Sequence, residues 1–275
     1  MTFLGRELAV AFPDTVLEEH DSPRDKTVKL GSIARECAIF GVDIIQVFRD
    51  EGGKDESKRI KKVLEYLETP QYLRKRLFPL DEDLRFAGLL PPLRTPSHKP
   101  KVSLEELRVG EVREGITNSD GTVDVGLDKA PLLREGFPEN RRVTVKVTGK
   151  KPLRAEVVGR GDLGQYWGYV VETKSLNQML DDPRPFLRVA TSRLGDPIGS
   201  MLPSLSGALG VGRGVKFMFG APSRGLFEIV GRPLRGRVDF VVNLFTEQHV
   251  STVRTEEAIS AALSLLNFLS AQMKA

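Results

Sequence analysis

The chain is 275 residues long, 40% hydrophobic and 28% charged, with a formal net charge of +4. That length suits one large domain or two modest ones, and no apolar run approaches the roughly 20 residues of a membrane helix. A single cysteine, Cys37, excludes an internal disulfide and a cysteine zinc cluster. The first residues reach Glu7 without the basic-then-apolar layout of a signal peptide, so a cytoplasmic protein is expected. The mild basic excess permits a nucleic-acid partner without requiring one.

The first section reads β-α-β. Leu8–Phe12 is a short buried strand ended by Pro13. Ile33, Cys37 and Phe40 recur at helical spacing within Val28–Phe40, and Gly41 closes that helix. Val42–Phe48 is rich in Val and Ile, the composition of a buried strand. After a polar loop, Ser57 is placed to cap a helix whose Ile60, Val63, Leu64 and Leu67 share one face. A further helical turn is expected over Gln71–Leu77. Between Lys58 and Arg76 seven Lys/Arg face only Glu65 and Glu68, beside Tyr66, Tyr72 and Phe78. A solvated helix face and a polyanion contact both fit that run.

Leu90–Lys101 holds four prolines and reads as a linker. From Val102 to Gly164 the chain becomes short β-like runs separated by turn signals, as in a small barrel or sandwich. Asn118–Gly121 marks a hairpin within it. At Tyr166 the α/β pattern returns. Strands are expected at residues 166–172, Phe186–Ala190, Val215–Phe219 and Val238–Leu244, with a short helix from Ser175. Ile259, Ala262, Leu263, Leu266 and Leu269 form one stripe of a final helix.

Three of these strands deliver loops rich in small or polar residues: Thr191–Pro197, Gly220–Gly225 and Asn243–Arg254. If the strands are parallel neighbours, the loops meet at one sheet edge, where open α/β sheets bind ligands. Thr255 is placed to cap the last helix, with Glu256 and Glu257 in a first turn that favours acids. The run Gly207–Gly214 precedes a strand, which rejects a dinucleotide fingerprint, and no phosphate-binding P-loop pattern occurs. His20, His98 and His249 lack metal-ligand spacing, so no metal is expected. No serine nucleophile elbow is present.

Several long segments resemble a known family. They are residues 22–48, 66–93, 166–172, 190–196 and 242–259, the last containing the turn Arg254-Thr255-Glu256-Glu257-Ala258. They are similar to the SPOUT-class RNA methyltransferases, in the archaeal and eukaryotic uridine-N3 branch that carries an inserted barrel. The last turn also resembles that of bacterial uridine-N3 rRNA methyltransferases of the class. The resemblance implies an α/β fold with a trefoil-knotted parallel sheet, a named exception to the rule against knots. That domain would comprise residues 1–92 and 166–275, and an inserted OB-like barrel for RNA binding residues 93–165. It further implies S-adenosylmethionine as cofactor, S-adenosylhomocysteine as product, a homodimer, and large-subunit ribosomal RNA as substrate.

By the same resemblance the cofactor residues are Thr191, Ser192, Arg193 and Gly195, then Gly220, Pro222 and Gly225, then Asn243, Leu244, Val253 and Thr255. Two departures stand out. Relatives tend to read T-S-E-R-G where this chain has Thr191-Ser192-Arg193-Leu194-Gly195, and they carry more glycine in the middle loop. Methylation at uridine N3 needs in-line attack, a base for the N3 proton and cations beside the flanking carbonyls. Arg24, Arg35 and Arg254 are candidate cations, and Glu19 and Glu257 candidate bases. Lys58–Lys62, Arg74–Arg76, Arg141, Arg142, Lys150 and Lys151 are candidate RNA-backbone contacts. Two alternatives stay open: a non-catalytic RNA-binding or ribosome-assembly protein, and an enzyme of this class acting on tRNA or another base atom.

Overall fold

A computed structural model describes residues 5–231 and 233–273. Strands β1 (Leu8–Pro13) and β2 (Ile44–Phe48) are buried at every position, as expected for central strands covered on both faces. Between them α1 (Pro23–Ile39) starts five residues earlier than its apolar spacing indicates. Ser22 accepts a hydrogen bond from the Asp25 amide and Pro23 sets the first helical φ, so capping chemistry fixes the start. Gly41 closes the helix with φ of 70°, a left-handed conformation suited to glycine. α2 (Ser57–Glu68) and α3 (Gln71–Leu77) follow. Ser57 lies inside α2 instead of capping it, and its amide and hydroxyl donate to Asp55.

The chain forms two compact units. The first comprises residues 1–65, 82–91 and 169–275. Its sheet also contains β8 (Val170–Lys174), β9 (Phe186–Pro197), β10 (Gly214–Met218) and β11 (Phe240–Asn243). All six strands are parallel, in the order β11-β9-β10-β1-β2-β8. The linking helices are α4 (Leu176–Leu180), α5 (Ile198–Leu209), α6 (Leu226–Val230) and α7 (Leu234–Arg237), and α8 (Thr255–Gln272) ends the fold. α4, α6 and α7 seal one face with Ala11, Phe48, Met218 and Val241. α8 packs against α1 and buries the five apolar residues of its expected stripe.

The segment Thr191–Pro197, expected as a loop, belongs to β9. β9 pairs with β11 through Ala190↔Val241 and again through Asp196↔Val242, so Thr191–Gly195 bulges out between two rungs. α5 has no counterpart in the expected elements. Pro203 and five glycine or serine positions interrupt its apolar spacing, and burial of Leu205 and Leu209 holds it in place. Gly207–Gly214 spans the end of α5 and the approach to β10, which confirms that it opens no helix.

The second unit comprises residues 66–81 and 92–168, so the segment around α3 groups with it although the sequence reading placed it in the α/β domain. Its strands are β3 (Val112–Thr117), β4 (Val123–Asp124), β5 (Leu132–Leu133), β6 (Arg142–Lys150) and β7 (Leu153–Val157), ordered β4-β3-β6-β7-β5. A bridge between Thr122 and Leu132 joins the two edges, closing the sheet into a small barrel. Val123, Val125, Leu133, Val145 and Ala155 fill it.

Candidate active site

Strands β11, β9 and β10 are parallel neighbours, and the segments at their C-terminal ends line one cleft of about 260 Å³. The first segment contributes Thr191 to Leu194, the second Phe219 to Ser223 and Gly225, and the third Asn243 to Phe245 with Ser251 to Val253. Thr255 and Ala258 of α8 complete that side. Three cross-links hold the segments in register. The Thr191 hydroxyl donates to the Met218 carbonyl at 3.1 Å. The Asn243 side-chain amide donates to the Arg193 carbonyl at 3.2 Å. The Thr255 hydroxyl donates to the Gly220 carbonyl at 3.4 Å.

Thr255 therefore is not the helix cap. The cap position is Arg254, whose backbone amide donates to Glu257 Oε2 at 2.9 Å, half of a capping box. The Thr255 hydroxyl is thereby released to join two loops. Gly195 does not line the cleft. A Cβ there would lie 2.6 Å from the Val242 carbonyl carbon, so its place is the crossing of the bulge over β11. At Gly220 a Cβ would come within 2.9 Å of the Arg224 carbonyl oxygen, so the second segment also needs glycine to fold this tightly. The sequence reading missed Phe219, Phe227, Phe245 and Gln248, which also line the cleft. Phe227 enters from α6, and no local pattern distinguishes such a ring from a core residue.

None of the five candidate catalytic residues lines the cleft of its own chain. Arg254 and Glu257 flank Thr255 at its edge. Glu19 pairs with the buried Lys29, which also reaches Glu256 at 2.9 Å in the first turn of α8. Arg24 and Arg35 are exposed on α1, 11 residues apart and so roughly 16 Å along the helix axis. Among the described residues no group of three or more His, Cys, Asp or Glu is placed to hold a metal ion. No helix among them is long and apolar enough to cross a membrane.

A family model described as "Putative RNA methyltransferase" matches residues 7–266, both sheets and the cleft included. The chain belongs to that family. A 28S rRNA (uridine-N(3))-methyltransferase of Mus musculus is 34% identical, covering 94% of this chain and 75% of its own. The protein of the same name from Homo sapiens is 34% identical, covering 94% and 77%. An uncharacterised protein of Halobacterium salinarum, also 34% identical, covers 94% of this chain and 98% of its own.

For an RNA methyltransferase the basic run of α2 and α3 is a natural place to look for RNA, but several of its cations have structural duties. Arg59 and Lys62 bind Asp83 at 2.9 and 2.8 Å. Arg74 donates to the Thr69 carbonyl, and Arg76 to Asn118 and Asn140. In the barrel, Arg142 is held by Glu68 and Glu114. Lys58, Lys75, Arg141 and Lys151 remain exposed.

Proposed function

We propose that this methyltransferase transfers a methyl group from S-adenosylmethionine to N3 of a uridine in large-subunit ribosomal RNA. The observation that carries this reading is the 34% identity, over 94% of the chain, to rRNA uridine-N3 methyltransferases. The residues present suit the cofactor. The cleft offers the hydroxyls of Thr191 and Ser192, the backbone of three loops, and the apolar side chains of Leu244 and Val253. Gly220 lets the middle segment fold tightly where it lines the cleft.

S-adenosylmethionine, when bound, supplies an activated sulfonium methyl and leaves as S-adenosylhomocysteine. The chain must then hold the uridine with N3 in line with that methyl, and orientation of this kind is a large part of the rate. N3 gains the methyl and loses its proton. Glu257 is occupied by the helix cap, so Glu19, exposed beside Lys29, is the base this reading favours. Arg254, next to the lining residues Val253 and Thr255, is the favoured donor to a uridine carbonyl. Arg24 and Arg35, exposed on α1 and outside the cleft lining, would serve through the second copy of the homodimer that this reading includes. The target base must be unpaired or extruded, and Lys58, Lys75, Arg141 and Lys151 are the backbone contacts left for RNA.

The test is transfer of a labelled methyl group to unmodified large-subunit rRNA, with nucleoside mass spectrometry of the product. 3-Methyluridine is expected. Another methylated nucleoside would discard the N3 assignment. Cofactor binding without transfer to any RNA would discard rRNA alone as the substrate.

A further inference from the structure

The middle loop, Gly220–Gly225, forms part of the cleft wall, and its own backbone fixes it only in part. Its turn is closed by the Ala221 amide donating to the Arg224 carbonyl at 2.9 Å. Two of its residues, Ser223 and Arg224, are tied to acids that follow β1 and β2. The Ser223 hydroxyl and amide both donate to Glu18 Oε1, the amide at 3.3 Å, and the Arg224 guanidinium donates to Asp50. Glu18 and Asp50 do not line the cleft.

Asp50 is built in firmly. It is 3% exposed and accepts from the Thr15 hydroxyl at 2.9 Å and the Gly52 amide at 3.0 Å. Its own amide donates to the buried Asp14 at 2.9 Å. Arg49 spans Asp14 at 3.0 Å and the Gly53 carbonyl at 2.8 Å. Burial opposes ionisation of Asp50, yet the hydrogen bonds from Arg224, Gly52 and Thr15 outweigh it and hold the carboxyl below the ordinary range. Gly52 supplies the space. A Cβ at that position would fall 2.0 Å from the Arg224 guanidinium nitrogens. A side chain there would force the guanidinium end of Arg224 to shift while leaving both ion-pair partners chemically intact.

We propose that Asp50 and Glu18 are positioning residues for the cofactor cleft, acting through Arg224 and Ser223 to hold the middle loop in its ligand-ready shape, with Gly52 kept small to admit Arg224. A loop fixed beforehand spares the ligand the cost of ordering it, so releasing this latch weakens cofactor affinity without removing any group that touches the cofactor. The inference rests on the S-adenosylmethionine reading given above and extends it to Asp50, Glu18, Arg224 and Gly52, none of which lines the cleft.

The experiment is isothermal titration of the full chain with S-adenosylmethionine for wild type, Arg224→Gln, Gly52→Ala and the double variant, with circular dichroism to verify folding. Each single change is expected to weaken binding by about tenfold. The double variant is expected to bind no more weakly than the worse single one, because both break the same contact. In steady-state assays the KM for cofactor rises while the KM for RNA and kcat at saturating cofactor stay constant. Unchanged affinity in folded single variants overturns the latch. Fully additive losses overturn it too, as does a rise in the KM for RNA alone, which would make Arg224 an RNA contact. A wild-type chain that binds no S-adenosylmethionine overturns the cofactor reading and this inference together. Wild-type binding with unaffected variants overturns this inference alone.

Discussion

Asp14 is fully buried at the C-terminal end of β1, one residue past the strand, where it receives the Asp50 amide and Arg49. Burial pushes its carboxyl up to about 6, outweighing the hydrogen bond and the nearby guanidinium. An unfolded aspartate titrates near 3.9. Between about pH 4 and pH 6 the folded chain therefore keeps a proton that the unfolded chain has released, so this residue lowers stability as pH rises through that window. The neighbouring Asp50 has its carboxyl held low, so its stabilising contribution is lost only as pH falls below about 4 and does not overlap. Asp14→Asn keeps an acceptor for the Asp50 amide and removes the titration. Relative to the variant, wild type should lose up to about 1.4 kcal/mol per pH unit across this window. Urea unfolding of both proteins at several pH values between 4.5 and 6.5 measures it, and parallel stability profiles would refute it. Nothing local in the sequence marks Asp14 as different from the exposed acids that follow it. The difference comes from β2 lying beside β1, a contact 36 residues away in the chain.

At the scale of elements, the start of α8 shows how one carboxylate can be read two ways. Glu257 was open as a general base, and it occupies the third helical position with Oε2 2.9 Å from the Arg254 amide. If its duty is the cap, Glu257→Ala should cost about 1 kcal/mol of stability. Glu257→Gln should retain stability and methyl transfer alike, since glutamine also completes a capping box. Thermal unfolding and methyl transfer assayed on the same two variants separate the duties, and a folded Gln variant without transfer would restore the base. The strands and the last helix were legible because a parallel sheet covered on both faces leaves apolar runs, and α8 leaves an apolar stripe. The convergence of three strand-end segments was legible for the same reason. The bulge in β9 was hidden because only its pairing with β11, some 50 residues later, makes Thr191–Pro197 part of a strand. α5 was hidden by Pro203 and its glycines. The Asp50–Arg224 contact joins residues 174 apart and leaves no periodic trace.

Over the whole molecule, each unit has its own means of cohesion. The first closes around six parallel strands and an apolar core. The second is a small unit with two small apolar clusters, and it adds a buried ionic hub at Glu114. That carboxylate is buried in β3 and accepts from Trp167 Nε1 at 2.6 Å, Thr144 Oγ1 at 2.5 Å, Arg142 at 2.6 Å and Arg160 at 3.0 Å. Glu68, from the end of α2, takes the other side of Arg142 at 2.7 Å and of Arg160 at 3.4 Å. Burial opposes the charge on Glu114, but Arg142 and Arg160 hold its carboxyl below the usual range, whereas burial prevails at Glu68 and raises it. The hub draws residues 66–81 into the barrel unit, a placement that apolar periodicity could not reveal. Removing one member of such a cluster leaves the others desolvated and short of partners. Glu114→Ala should therefore destabilise the second unit by about 3–5 kcal/mol, the upper part of that range if the Trp167 and Thr144 donors are also left unsatisfied. Trp167 is the single tryptophan and is 3% exposed inside this unit, so its fluorescence reports the transition directly. The midpoint of that transition in urea should fall sharply in the variant. A shift worth less than about 1 kcal/mol would mean that the guanidiniums find water or Glu68 sufficient, and that the barrel is held by its apolar core after all.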